Sequence, residues 1–364
     1  MPAKRPDSPE LIAQIDALLV AGGLEHGKRL TRKGLSGPRR EKNQLREWQP
    51  NGTWLRRNKL EVLTQPQWNQ QDWLVHGFSS RTGGVSTIYS QNTENSSGEL
   101  NLSWTQDDDY KAVMENRRRF VQAVTGSAKA AKNYQLITLR QSHSGIIRNL
   151  DLIDKNMVSD GRAVLHGDGM MTSRPGLLLG IQTADCVPVL IYDAKKRVIA
   201  SFHAGWRGTL ARIVERGVGL MRLTYNSRPA DLHATIGPSI GVCCYAVSED
   251  LRIEFDSQFT YASELFCEVY DSDPIREKYP MLFLTQRAPG HSNIGPQIHL
   301  DLWEANRRQL LAAGIKNKNI SVLAHCTSCN PKKFFSHRRD HGFTGRMVNL
   351  IGLSPIPSTK TAQV

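Results

Sequence analysis

The strongest constraint in this chain is the run from Gly180 to Gly208, GIQTADCVPVLIYDAKKRVIASFHAGWRG. VPVLIYD (187–193) and RVIASF (197–202) are rich in β-branched and aromatic residues, and only AKK separates them. Two such runs around a short polar link predict a β-hairpin. A hairpin centred near Lys195 pairs residues whose numbers sum to about 389, which sets Cys186 opposite His203. Directly opposed side chains have Cβ atoms ~5 Å apart. That separation suits one zinc ion, with Zn–S near ~2.3 Å and Zn–N near ~2.0 Å. It suits a Cys–His catalytic pair equally well.

The surrounding sequence supports a sizeable folded body. The chain has 364 residues, 39% of them hydrophobic, and no apolar run approaches the ~18 residues of a membrane span. No secretory signal is read at the N-terminus. Six cysteines are too few for a disulfide scaffold, so a reducing compartment is expected, with the cytoplasm as the default. The net charge of +13 is uneven, because the first sixty residues carry +7 of it. Residues 1–60 therefore read as a basic extension with one short helix near Pro9 to Ala21. Such an arm could tether nucleic acid or an acidic partner, or simply be a solvated extension. The body is expected at 61–354, with a polar tail at 355–364.

Within the body, strand and helix patterns alternate. QDWLVHGFSS reads as a strand and RTGGVST as a turn. DDDYKAVMENRRRFVQAVTG is a helix with an acidic first turn and a stop at Gly126. YQLITLR is a strand running into Gln141, Ser142 and His143. GTLARIVERGVGLMRLTY reads as one amphipathic helix, and CCYAVSEDLRIEFDSQF as another. DLHATI and ISVLAHCTSC read as strands. A helix capped by Asp301, with Glu304 three residues on, ends at Gly314. No dinucleotide or P-loop fingerprint is present. The fold class is α/β (α+β), in one catalytic domain.

Three residues are candidate metal ligands: His143 after a strand, and Cys186 and His203 at the hairpin mouth. Two imidazoles and a thiolate leave a fourth position open, as in catalytic zinc sites. The competing reading makes Cys186 a small buried hydrophobe and both histidines backbone-bonded strand ends. Asp185 could orient a ligand histidine, act as a general base, or form a plain Asx turn. Cys326 and Cys329 form a CxxC without a second pair at finger spacing, and read as structural thiols. The basic run from Lys332 to Arg346 is either a solvated loop or an anion site.

Several strings together carry a resemblance: HGFSSRTGGVS, LRQSHS, DGMMT, TADCVPVLIYD, ASFHAGWRGT, IGPSIGVCCYAV, HCTSC and FFSHRRDHGFTGRM. Running in order from about residue 70 to 353, they resemble the YfiH/DUF152 family of laccase-domain proteins. The resemblance implies mixed β-sheets sandwiched between helices and a zinc ion on His143, Cys186 and His203, with copper as the alternative metal. It implies phosphorolysis of adenosine, inosine, guanosine or methylthioadenosine to base and ribose-1-phosphate, with adenosine deaminase activity. Some members point instead to hydrolysis of a UDP-muramyl cell-wall precursor. For phosphorolysis, Arg81, Arg338 and Arg339 are expected to hold phosphate. Gln141 and Arg207 join them as substrate-binding candidates, and Asp185, Cys186 and His203 as the catalytic set. Ser144 departs from a glycine common in the family, which puts access near His143 in question.

Overall fold

The computed structural model describes residues 46–90, 98–153, 165–269 and 297–355. Most of the basic extension, including the helix expected near its start, lies outside the described residues, as does most of the tail. Twelve strands build two sheets. They are β1 (Thr53–Arg57), β2 (Leu60–Thr64), β3 (Leu74–Ser79), β4 (Gln135–Thr138), β5 (Ile147–Asn149) and β6 (Gly169–Thr172). The rest are β7 (Leu177–Thr183), β8 (Val187–Asp193), β9 (Val198–Ala204), β10 (Leu232–Ile236), β11 (Ile320–Val322) and β12 (Met347–Leu353). One sheet has the order β1-β2-β3-β12-β7-β4, and the other β11-β10-β8-β9-β6-β5. Strand β1 and Trp48 belong to this body, inside the stretch assigned to the extension. The Trp48 indole donates to Asp301 Oδ2 at 2.8 Å.

The alternation along β8 explains how the sheets stack. Val187, Val189 and Ile191 join one apolar cluster, and Leu190 and Tyr192 another. The first is shared with helix α3 (Ile213–Tyr225), through Val214, Val218 and Met221. The second is the seam between the sheets, where Leu190 and Ile199 meet Phe78, Leu179 and Ile351. A strand covered on both faces reads as a continuous apolar run, which is what VPVLIYD is. Each fully buried side chain contributes roughly 1.5–3 kcal/mol. Helix α1 (Tyr110–Thr125) covers the outer face of the first sheet with Phe120, Ala123 and Val124. Gly126 ends it at φ 92°, as its sequence predicts, but the expected acidic first turn is not there: the helix starts at Tyr110, and Asp109 caps it from outside by accepting from Ala112 N.

Two expectations need correcting. The hairpin register sums to 391, with Val187 opposite Ala204 and His203 opposite Pro188. Asp193 Oδ1 accepts from the amides of Lys195 and Lys196, and Arg197 takes φ 52°. The turn therefore uses four residues rather than three. The single helix expected over GTLARIVERGVGLMRLTY is two, α2 (Trp206–Leu210) and α3, broken at Arg212 with φ 54°. Buried polar contacts anchor the break: Asn306 Nδ2 donates to Thr209 Oγ1, and Gln309 Nε2 to the Thr209 carbonyl.

The second half differs in the same way. CCYAVSEDLRIEFDSQF holds a turn, a two-residue strand (Ala246–Val247) and then α4 (Glu249–Gln258), capped by Ser248. Helix α5 (Leu302–Ala312) carries the expected Asp301 cap. Of ISVLAHCTSC, only β11 is strand.

Candidate metal centre at the end of the sheet seam

Five chain segments converge where the two sheets meet at one end. β4 runs out into Gln141–Ser144, β7 ends before Ala184, β8 begins after Cys186, β9 ends at Ala204, and Asp168 precedes β6. Cys186 sits one residue before the β8 ladder, level with Gly205. His203 lies diagonally across, and diagonal neighbours remain within reach of longer side chains. A Cβ on Gly205 would stand 2.8 Å from Cys186 Sγ, so glycine leaves the thiol its space. The ligand atoms of His143, Cys186 and His203 all lie within 4.8 Å of one another.

Asp168, fully buried, organises this cluster and was not singled out from the sequence. Its Oδ1 accepts from His203 Nδ1 at 2.8 Å and from the His143 amide at 3.0 Å. Its Oδ2 accepts from the amides of Ser142 and Ser144, and from the Ser144 hydroxyl at 2.6 Å. One carboxylate thus fixes the turn carrying His143, at φ 60°, and directs the other nitrogen of His203 toward Cys186. Ser144 turns its hydroxyl to Asp168. The available signal was an aspartate between two glycines, Gly167 and Gly169, just before a buried strand.

The electrostatics follow from these contacts. Burial alone would raise the Asp168 carboxyl, but hydrogen bonds from His203 and Ser144 outweigh it and hold it well below the carboxylate range. Burial likewise opposes ionisation of Cys186, yet the His203 charge and hydrogen bonds to both histidines bring it down to about 6. Burial would lower His203, and the Cys186 thiolate with Asp168 lifts it to about 9. The two groups thus favour each other's charged form, thiolate for Cys186 and imidazolium for His203. A soft or borderline divalent ion is the natural replacement for those protons.

A cavity of about 740 Å³ opens over the three residues. Its walls include Trp104, Tyr110, Arg140, His337 and Arg346. Trp104 and Tyr110 stack with centroids 4.5 Å apart. Arg346 Nη1 donates to the carbonyls of Thr344 and Gly345, which fixes the guanidinium on the wall.

The other candidates fall elsewhere. Arg81 is buried, its Nε and Nη2 paired with Glu99 and its Nη1 donating to the Pro331 carbonyl. Arg339 is committed to Asp340 and to the carbonyls of Thr327 and Phe334. Neither is placed to take phosphate. Arg338 lines a neighbouring cavity beside Tyr245, its Nη1 donating to the Ala246 carbonyl. Exposed Arg207 stacks on Trp206 at 4.2 Å. Gln141 does line the main cavity, but its amide exchanges two hydrogen bonds with the Gln182 backbone. Asp185, at φ 88°, accepts from Thr327 Oγ1 and the Arg338 amide. Asp168 rather than Asp185 orients His203.

Residues 75–354 match a family model described as multi-copper polyphenol oxidoreductase laccase, and the chain belongs to that family. Among its relatives, the purine nucleoside phosphorylase YlmD of Geobacillus stearothermophilus is 33% identical over 291 residues, 79% of this chain and 96% of that protein. Adenosine deaminase RL5, from an unknown prokaryotic organism, is 30% identical over 206 residues, 56% of this chain and 70% of that protein. The crystal structure of the Bacillus licheniformis hypothetical protein YfiH superposes with a TM-score of 0.63 at 30% identity. That match covers 80% of this chain and 96% of the other. Among the described residues, no helix is long and apolar enough to cross a membrane.

Proposed function

We propose that this chain is a zinc-dependent purine nucleoside phosphorylase with adenosine deaminase activity, acting on adenosine, inosine, guanosine or methylthioadenosine. The observation that carries it is the His143–Cys186–His203 cluster at the floor of a cavity walled by stacked aromatics and basic side chains. The names of the relatives YlmD and RL5 favour the same two reactions. The donor set fits one zinc ion, with two nitrogens and a thiolate already drawn toward ionisation. When bound, zinc supplies a Lewis acid's charge beside the reacting centre.

The protein's own groups have separate tasks. Asp168 holds His203 in one tautomer and pins the turn that carries His143. Trp104 and Tyr110 offer an aromatic wall for a purine. Arg346 and Arg140 replace Arg81 and Arg339 as phosphate holders, because both residues line the cavity. Phosphorolysis aligns a phosphate oxygen with C1′ of the ribose; the C1′–N9 bond breaks and the purine leaves with its electron pair. His337, on the cavity wall, is of the right type to give that base a proton. In deamination, water adds at C6 and ammonia leaves.

The test is chromatography of products from the four nucleosides with and without phosphate. Free base and ribose-1-phosphate should form only with phosphate, and inosine should form from adenosine without it. Failure to release base from any of the four, in protein loaded with zinc, would exclude the phosphorylase.

A further inference from the structure

A second cluster of metal-binding side chains stands apart from the cavity. β10 and β11 are parallel neighbours, with Ile236 level with Val322. Their C-terminal ends therefore run out side by side into two loops. A bridge between Ser239 and Cys326 ties the loops together, with Ser239 N donating to the His325 carbonyl and Thr327 N to the Ser239 carbonyl. Each loop then makes a tight turn. The first turn carries Cys243 and Cys244, and the second carries Cys326 and Cys329.

The sulfurs of these four residues all lie within 4.8 Å of one another. Cys329 Sγ is 3.2 Å from Cys244 Sγ and 3.5 Å from Cys243 Sγ. Four thiolates about 2.3 Å from one ion stand about 3.8 Å apart in a tetrahedron. The cluster is therefore sized for a single ion. An iron–sulfur cluster places several atoms between its cysteines and needs them farther apart. The Gly241 amide donates to Cys326 Sγ at 3.3 Å, a hydrogen bond suited to an anionic sulfur.

We propose that Cys243, Cys244, Cys326 and Cys329 form a second, structural zinc site of four thiolates, closed to substrate. Each sulfur gives up its proton to bind the dication, and four thiolates complete its shell. The ion clips together two loops that back onto the first site. Thr327, between Cys326 and Cys329, donates to Asp185, and Ile240, three residues before Cys243, donates its amide to the Asp185 carbonyl. Asp185 directly precedes Cys186.

The test counts zinc on the full chain, purified under reducing conditions, by native mass spectrometry. Two ions per chain are expected for the wild type and one each for Cys186→Ser and for Cys244→Ser/Cys329→Ser. Cobalt loading of Cys186→Ser reads the second site alone, in a protein whose thiol cluster is intact. It should give the intense thiolate-to-cobalt charge-transfer absorption of a tetrahedral sulfur site, even if the double variant fails to fold. Absence of that band would overturn the proposal, as would a thiol titration of the wild type in denaturant that finds four reactive thiols instead of six. The first result excludes the ion, and the second shows a disulfide in its place. Neither bears on whether the first site turns over nucleosides.

Discussion

The two clusters contrast at almost every point. His143, on a turn, and Cys186 and His203, at strand ends, mix nitrogen with sulfur, number three, and face a cavity. Cys243, Cys244, Cys326 and Cys329 sit on two turns, are all sulfur, number four, and line none of the described cavities. Three ligands under an open wall leave a position for chemistry, whereas four thiolates fill a tetrahedron and leave none. The difference extends to their surroundings. The first cluster has a dedicated buried carboxylate in Asp168, and the second has backbone amides and a strand bridge. On the proposed reading, one end of the sheet seam reacts and the adjoining loops hold still.

This contrast can be broken most directly at Cys186. Cys186→Ala should abolish phosphorolysis and release the first ion while the thermal unfolding transition stays cooperative. The loss should exceed the about 10–100-fold typical of residues that only support a ligand. Asp168→Asn should fall within that range, because the amide keeps the shape but loses the charge facing His203. A smaller effect is expected at Arg346, where alanine should raise the phosphate KM about tenfold, the scale of one lost charged hydrogen bond of ~1.5 kcal/mol. Arg81→Ala should instead leave that KM unchanged and lower the Tm, since it strands buried Glu99 contacts.

The mildest test is the pH dependence of the metal-stripped protein. Cys186 is lowered to about 6 from an ordinary 9, so its contribution is full above pH 9 and is lost as pH falls through about 6. His203 is raised to about 9 from 6.5, so its contribution is full below 6.5 and is lost as pH rises through about 9. Stripped protein should therefore show its highest Tm between about pH 6 and pH 9 in a calorimetric series. Cys186→Ala should flatten the alkaline fall, since the thiolate is the leading charge that raises His203.

Much of the first cluster was legible because strand periodicity is legible. β8 was read to the residue, and helix α1 with its Gly126 stop followed from local chemistry, although its start was placed too early, with the acidic residues before Tyr110 counted as a first turn. The register was off by two in its sum, yet Cys186 and His203 still met. A shift of two keeps each side chain on its face, whereas a shift of one would have separated them. Asp168 was missed because its role depends on three segments that no local pattern joins. The cysteine pairs were missed as a unit for a related reason. Between Cys244 and Cys326 lie 81 residues, and the parallel pairing of β10 with β11 brings the two turns together. The arginines were legible only as charges: charge marks a residue as able to bind an anion, but part-buried pairs with Glu99 and Asp340, which no local pattern announces, engage Arg81 and Arg339.

The central claim is that the ion on His143, Cys186 and His203 carries the turnover. It is tested most directly by titrating zinc into metal-stripped protein and following ribose-1-phosphate formed from inosine and phosphate. The account predicts that activity is absent after stripping, returns with added zinc in the wild type, and never returns in Cys186→Ala. Full activity in the stripped wild type, or equal recovery in the two proteins, would contradict it.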